Sequence, residues 1–310
     1  MNVLIIRSGA LGDTLMLMPA IAQLKGKARI TLVGRSPGID FLRPHVARCM
    51  DFESRGWHTL FLDPSESGFR PPVSHIDVAV AFSADIEKNL QRNLQTLFPN
   101  SDVHVFGPFP AVGLNSHAAL YIARCLQAAG LPLDAIASIE AAQRQPLLAS
   151  PETEEEREMR IVFHPGSGSA KKNYSPAFWI ALLNALQKEL YLQPGAFSLL
   201  LGPAEEDVQS TYERHAKDGT LEIMFSLQKE ALTSLLRKAS LYIGLDSGIS
   251  HLAAMCGTPS IALFKSTSVS QWRPLGPCVR VINAEKEDPS LVDRVVREAC
   301  ALITHKPEIS

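Results

Sequence analysis

Three short stretches gather glycines, hydroxyls, carboxylates and lysines at spacings that suit anion binding or proton transfer. The first is Arg7-Ser8-Gly9-Ala10-Leu11-Gly12-Asp13-Thr14, between an apolar run and a helical pattern. Gly9 and Gly12 permit a tight turn and close backbone approach. Asp13 falls near a helix N-terminus, where the dipole favours a carboxylate; a helix cap and a proton-accepting base are both open to it. The second is His164-Pro165-Gly166-Ser167-Gly168-Ser169-Ala170-Lys171-Lys172-Asn173-Tyr174. Backbone N–H groups, hydroxyls and lysines there suit a phosphate-binding loop, with a surface loop as the alternative. The Gly-Lys-Ser/Thr order of a Walker A loop is missing. The third is Gly244-Leu245-Asp246-Ser247-Gly248-Ile249-Ser250-His251-Leu252. A strand ending at Leu245 and a helix starting soon after would aim backbone N–H groups and the helix dipole at a diphosphate. Asp246 could cap that helix or orient the loop, and His251 could pack or contact a ligand.

These stretches need strands before them and helices after them, and the sequence supplies both. Val3–Ile6, Ile30–Gly34, Arg160–Phe163, Phe197–Leu201, Leu221–Phe225, Leu241–Leu245 and Pro259–Phe264 read as strands. Thr59–Leu62, Val78–Phe82 and Val103–Phe106 are weaker strand candidates. Helical spacing runs through Leu11–Leu24, Ile86–Phe98, His117–Ala129, Pro176–Leu190, Ala204–Ala216, Lys229–Ala239, Ser250–Cys256 and Ser290–Ile303. Ser175 suits a cap for Pro176–Leu190. Between Leu133 and Glu158 the pattern degrades, and the acidic run Glu152, Glu154, Glu155, Glu156 reads as a linker or charged face. Alternating strands and helices on both sides of that segment predict an α/β chain of two doubly wound Rossmann-like domains, 1–150 and 151–310, facing across a cleft. The closing helix, about 290–304, is placed where it could pack back on the N-terminal domain.

The 310 residues, 46% of them hydrophobic, are enough for two buried cores. A net charge of -2 gives no sign of nucleic acid as the main partner. The five cysteines, Cys49, Cys125, Cys256, Cys278 and Cys300, show no zinc or disulfide spacing. No metal site is expected from them, and a reducing cytoplasmic setting fits. No signal peptide and no apolar run long enough to span a bilayer is visible. The third Gly of the GxGxxG dinucleotide fingerprint is missing after the first strand, which weakens a nicotinamide dehydrogenase reading.

The motifs together resemble the family 9 glycosyltransferases, the ADP-heptose:lipopolysaccharide heptosyltransferases and their relatives. Leu4-Ile5-Ile6-Arg7 through Gly12-Asp13 to Pro19-Ala20-Ile21 is similar to the family's N-terminal motif. His164-Pro165-Gly166-Ser167 to Lys172 is similar to its donor-phosphate loop, and Leu201-Gly202-Pro203 to its "LGGP"-like strand end. Gly244-Leu245-Asp246-Ser247-Gly248, His251-Leu252-Ala253-Ala254 and Gly257-Thr258-Pro259 resemble its most specific motif without a gap. Two places depart from the pattern: Tyr174-Ser175-Pro176 spreads out an aromatic-Pro pair, and Lys265-Ser266-Thr267 replaces a Gly-Pro-Thr type turn. Counting back from Tyr174 favours Lys172 over Lys171 as the loop lysine.

The resemblance implies a GT-B fold and an inverting, metal-independent transfer with no cofactor. A nucleotide-diphospho-sugar, ADP-heptose in the family, would bind the C-terminal domain. A glycan or lipid-linked acceptor of the lipopolysaccharide-core type would bind the N-terminal one, beside Gly9 and Gly12. By motif position Asp13 would be the general base. Ser167, Ser169 and Lys172 would meet the donor phosphates, and Asp246, Ser247, Gly248 and His251 would form the diphosphate-binding helix start. Phe225-Ser226-Leu227 would lie near the base, with Leu227 the contact. Arg55, Arg70, Lys88 and Arg92 could meet an anionic acceptor. With a membrane-lipid acceptor, the enzyme would touch the inner face of the cytoplasmic membrane peripherally. A non-catalytic nucleotide-sugar-binding protein and a sugar-nucleotide epimerase of GT-B architecture are the alternatives.

Overall fold

The computed structural model describes residues 1–304 except 55, 66, 74, 112, 149–157, 194, 214, 215 and 218. Arg55 and the acidic run at 152–156 therefore lie outside the described residues. The chain divides into two compact units, Met1–Ala141 and Ala142–Ser310.

The first unit carries strands β1 (Asn2–Arg7), β2 (Arg29–Gly34), β3 (Arg48–Asp51), β4 (Val78–Phe82) and β5 (Asp102–Phe106). They form one parallel sheet in the order β3-β2-β1-β4-β5. Helices α1 (Leu11–Leu15), α2 (Met18–Leu24), α3 (Gly38–Leu42), α4 (Asn89–Leu97), α5 (Ala118–Ala128) and α6 (Ala135–Arg144) connect the strands or follow them. Leu4 and Ile5 are fully buried, as continuous apolar strands of a parallel sheet must be.

The expected helix over Leu11–Leu24 is two helices. Pro19 sits in the first turn of α2; lacking an N–H it cannot bond the Leu15 carbonyl, so the ladder restarts there. Thr59–Leu62, read as a weak strand, lies in a 3₁₀ turn over Trp57–Phe61. Gly56 enters that turn at φ 84°, and Thr59 Oγ1 donates to the Gly56 carbonyl at 2.7 Å. The buried residues are Trp57 and Leu60, spaced i and i+3, which is helical rather than strand spacing. Helix α6 occupies part of the stretch where periodicity faded. Asp134 Oδ1 accepts from the backbone N–H groups of Ile136 and Ala137 at 2.9 and 3.0 Å, an N-cap in all but name.

The second unit carries β6 (Glu158–His164), β7 (Phe197–Leu201), β8 (Leu221–Phe225), β9 (Ala239–Leu245), β10 (Ser260–Phe264) and β11 (Val279–Asn283). These also form one parallel sheet, in the order β11-β10-β9-β6-β7-β8. Read from the other edge, this is the strand order of a doubly wound dinucleotide-type sheet. The unit's helices are α7 (Pro176–Leu190), α8 (Glu206–Glu213), α9 (Lys229–Lys238), α10 (Gly248–Met255), α11 (Val269–Trp272) and α12 (Pro289–Thr304). A 3₁₀ turn over Pro203–Glu205 precedes α8, where one helix was expected from Ala204. Ser175 caps α7 by accepting from Phe178 N–H at 3.3 Å. Helix α12 buries Leu291, Val295 and Ala299 in the core of its own unit, against α7. Among the described residues no helix is long and apolar enough to cross a membrane.

Both sheets reverse direction beside their first strand. In the first unit that switch lies between β1 and β4, in the second between β6 and β9. Ligands in such sheets bind outside the carboxyl ends of the strands at the switch. The three chemistry-bearing stretches are the loops that leave β1, β6 and β9.

Candidate functional site

In the second unit, β6 and β9 run side by side with His164 opposite Gly244. The loops after them are therefore neighbours, and a web of polar contacts ties them together. Asp246, the first residue past β9, is buried at 6% exposure. Its Oδ2 accepts from Lys172 Nζ at 2.8 Å and from Thr267 Oγ1 at 2.6 Å. Three loops, those after β6, β9 and β10, thus meet at one carboxylate. Lys171 is exposed.

Ser247 begins α10 as its N-cap, its Oγ accepting from Ser250 N–H at 3.4 Å. The same Oγ lies 3.3 Å from His164 Nδ1. Burial pushes the His164 imidazole down to about 4, so the ring is neutral near pH 7. Ser250 Oγ is buried between the Tyr242 hydroxyl, at 3.1 Å, and the Leu245 carbonyl, to which it donates. The start of α10 is therefore held rigidly by side chains of β6 and β9. The N–H groups of its first turn have no partner inside the helix and carry the positive end of the dipole. Gly248 opens that turn, half-buried, and His251 is buried one turn in.

The loop after β6 is organised by its own hydroxyls. Ser167 Oγ lies 2.9 Å from the Ser169 carbonyl and 2.7 Å from Asn173 Oδ1. Ser167 is buried and Ser169 half-buried. Lys265 Nζ donates to the Asn173 carbonyl at 2.9 Å and sits 5.2 Å from the Tyr174 ring centroid. A Cβ on Gly166 would lie 2.0 Å from Glu205 Oε1, so a side chain there would require the Glu205 carboxylate to move. Glu205 is buried, one oxygen accepting from Gly202 N–H at 2.8 Å, and burial raises its carboxyl above the usual range. Leu227, half-buried, follows β8, where Ser226 N–H donates to the Leu201 carbonyl at 2.9 Å. It lies at the same carboxyl edge of the sheet as the other loops.

Sequence reasoning missed Thr267 and Glu205. Thr267 lies in the segment that departs from the family pattern, so no motif marks it. Glu205 follows the Leu201-Gly202-Pro203 strand end by two residues, and a lone Glu in a helix start reads as a surface acid.

In the first unit, Asp13 sits in the first turn of α1 and its Oδ2 accepts from Ala10 N–H at 3.1 Å. Gly9 has no room for a side chain, because a Cβ would lie 2.6 Å from the Asp13 Cβ. Gly12 belongs to α1, its carbonyl accepting from Met16 N–H at 3.2 Å. Asp13 is half-buried, so its carboxylate combines a cap bond with partial exposure. Of the basic residues considered for an acceptor, Arg70 and Lys88 are exposed or nearly so. Arg92 is bonded into the start of α4 through the Glu87 carbonyl at 2.9 Å and Asn89 Oδ1 at 2.7 Å. Among the described residues no group of three or more His, Cys, Asp or Glu is placed to hold a metal ion.

Residues 91–300 match the glycosyltransferase family 9 (heptosyltransferase) family. Many solved structures share the fold, among them three from heptosyltransferases. The Escherichia coli heptosyltransferase WaaC with ADP is 16% identical, with 96% of this chain and 100% of that one covered at a TM-score of 0.69. The same enzyme with ADP-2-deoxy-2-fluoro heptose is 17% identical, covering 97% and 99% at 0.68. The E. coli ADP-heptose lps heptosyltransferase II is 17% identical, covering 98% of both chains at 0.67. No curated protein sequence gives a significant match.

Proposed function

This chain belongs to glycosyltransferase family 9 and is a glycosyltransferase of GT-B fold; on that premise we propose that it transfers heptose from ADP-heptose, with inversion, to a hydroxyl of a lipopolysaccharide-core-type acceptor. The observation that carries the donor half is the junction of three loops at Asp246. It fixes the Lys172 ammonium beside the rigid N-terminus of α10 at the switch point of the second sheet. A lysine and a helix start together suit a diphosphate. The structures of relatives with ADP and with an ADP-heptose analogue support the same ligand class.

In this reading the diphosphate takes hydrogen bonds from the first-turn N–H groups of α10 and from Lys172, while Ser167 and Ser169 line the loop beside it. Asp246, Ser247, Gly248 and His251 shape the helix start, and Leu227 meets the base. The Asp13 carboxylate accepts the proton of the acceptor hydroxyl as that oxygen bonds the anomeric carbon. The bond from that carbon to the phosphate oxygen breaks, and ADP leaves with the electron pair. Charge growing on the leaving group is met by donors already in place, so little reorganisation is needed. Positioned base help of this kind contributes about 10²–10⁴ in rate. Metal independence and contact with the inner membrane face are parts of the same proposal.

A thermal-shift panel of ADP, GDP, UDP, dTDP and CDP, with Mg²⁺ and with EDTA, tests the donor half. A ligand at about 100 times its dissociation constant stabilises the fold by about 2.7 kcal/mol. ADP is expected to raise the melting temperature equally in Mg²⁺ and EDTA. A shift with another nucleotide alone would move the donor away from ADP-heptose, and a shift only with Mg²⁺ would overturn metal independence.

A further inference from the structure

The second unit holds a cavity of about 220 Å³ between α7 and α8. No residue of the loops after β6 and β9 lines it. Gln187 in the last turn of α7, Lys217 in the segment after α8 and Leu221 at the start of β8 all border it. Those places lie toward the amino ends of the strands, whereas the loops after β6 and β9 leave the carboxyl ends. The cavity is therefore separate from the proposed donor site.

Three aromatic side chains form much of its inner wall. Phe163, Trp179 and Tyr212 line it, each at most 2% exposed. The Phe163 and Trp179 rings meet edge to face, 6.1 Å apart between centroids. An apolar cavity of about 150 Å³ holds a benzene ring, so the volume here admits one ring with a short arm. Native interiors leave few voids larger than a water molecule.

The same wall carries polar groups that nothing satisfies. Trp179 Nε1 is buried without a hydrogen-bond partner among the described residues. The Tyr212 hydroxyl also has none among them. Buried donors are as a rule paired. Asn184, Gln187 and Lys217 stand at the mouth, the first and last of them exposed. Among the described residues no carboxylate pairs with Lys217.

We propose that this cavity is a second ligand site, for a small aromatic carboxylate whose ring carries a polar atom. The ring lies among Phe163, Trp179 and Tyr212, its polar atom takes the Trp179 and Tyr212 donors, and the carboxylate meets Lys217 at the mouth. A flat ring gains from burial against other rings. The inner polar atom satisfies donors that burial otherwise leaves unmet. An exposed cation draws an anion to the mouth and orients it. None of this depends on the donor or on Asp13.

The test is NMR of the full chain labelled with ¹⁵N at its three tryptophans, Trp57, Trp179 and Trp272. The Trp179 indole signal is assigned with W179F and, by elimination, with W272F. The probe is 4-hydroxyphenylacetate, compared with phenylacetate, which lacks the inner hydroxyl, and with 2-(4-hydroxyphenyl)ethanol, which lacks the charge. The probe should shift the Trp179 signal saturably and leave that of Trp57 in place. Each comparison compound should bind about fivefold more weakly or worse. K217M should lower the affinity for the acid to that for the alcohol and leave the alcohol unaffected. N184W, at an exposed helix position, should block the mouth and abolish the shift. A Trp179 signal unmoved by all three compounds at about 10 mM would overturn the proposal. So would equal affinities for acid and alcohol, undiminished binding to N184W, or displacement of the acid by ADP, which would put it in the donor site.

Discussion

His164 joins the end of β6 to the start of α10 through Ser247, and its burial makes stability depend on pH. The imidazole falls from 6.5 to about 4 in the folded state. Between those two values the unfolded chain binds a proton that the folded chain does not. Stability contributed by the neutral, buried ring is therefore complete above pH 6.5 and is lost as the pH falls toward 4. At 1.36 kcal/mol per unit, a shift of this size caps the loss at about 3 kcal/mol. Between about pH 7.5 and about pH 5 roughly 2 kcal/mol of it is expressed. The assay is urea unfolding at those two pH values for the wild type and for His164→Asn, whose amide can stay near Ser247 Oγ. The wild type should lose about 2 kcal/mol more than the variant over that interval. An equal loss in both proteins would refute the assignment of a buried, neutral His164. A larger loss in the variant would reverse its sign.

Substitutions at three further places probe the loops after β6 and β9. Lys172→Met removes one partner of a carboxylate whose side chain is 7% exposed, while the lysine itself is 28% exposed; a stability loss of about 1–3 kcal/mol is expected, with ADP affinity about tenfold weaker or more by calorimetry. Adding Asp246→Asn should recover stability and leave ADP binding weak, so recovery of both would reduce Lys172 to a structural partner. Gly166→Ala places a methyl group against Glu205, costing about 1–3 kcal/mol, and Glu205→Ala in the same chain should return much of it. Additive losses in that double variant would mean the two positions do not meet. Ser247→Ala deletes the cap of α10 and its contact with His164, and should cost about 1 kcal/mol by thermal unfolding.

Much of the second unit was legible because its signals are local. Pro176–Leu190, Phe197–Leu201 and Leu221–Phe225 have the bounds that periodicity and Gly-Pro punctuation predict. Two edge strands were harder to see: Arg48–Asp51 and Val279–Asn283 are short, half-exposed and interrupted by charged or polar residues, so they lack a continuous apolar run. Helix α6 was hidden by a mixed composition, although Asp134 carried its start signal. The loops proposed to bind phosphate stand out in the sequence by their glycine, hydroxyl and lysine content. The contacts within them could not be read there, because they join residues far apart in sequence. Thr267 reaches Asp246 across 21 positions and Lys172 across 74. Arg7 shows the same limit: its type and place at the end of β1 were plain, while its burial between Phe82 and Phe109 depends on how β4 and the loop after β5 fold around it.

The most direct test of the central claim is single-turnover transfer from ADP-heptose to a deacylated core acceptor, comparing the wild type with Asp13→Asn at matched ADP affinity. Acceptor-dependent ADP release by the wild type, a product of inverted anomeric configuration, and a rate about 10²–10⁴ lower in Asp13→Asn are the expected results. A rate in Asp13→Asn within a few fold of the wild type, or a product of retained configuration, would contradict that claim.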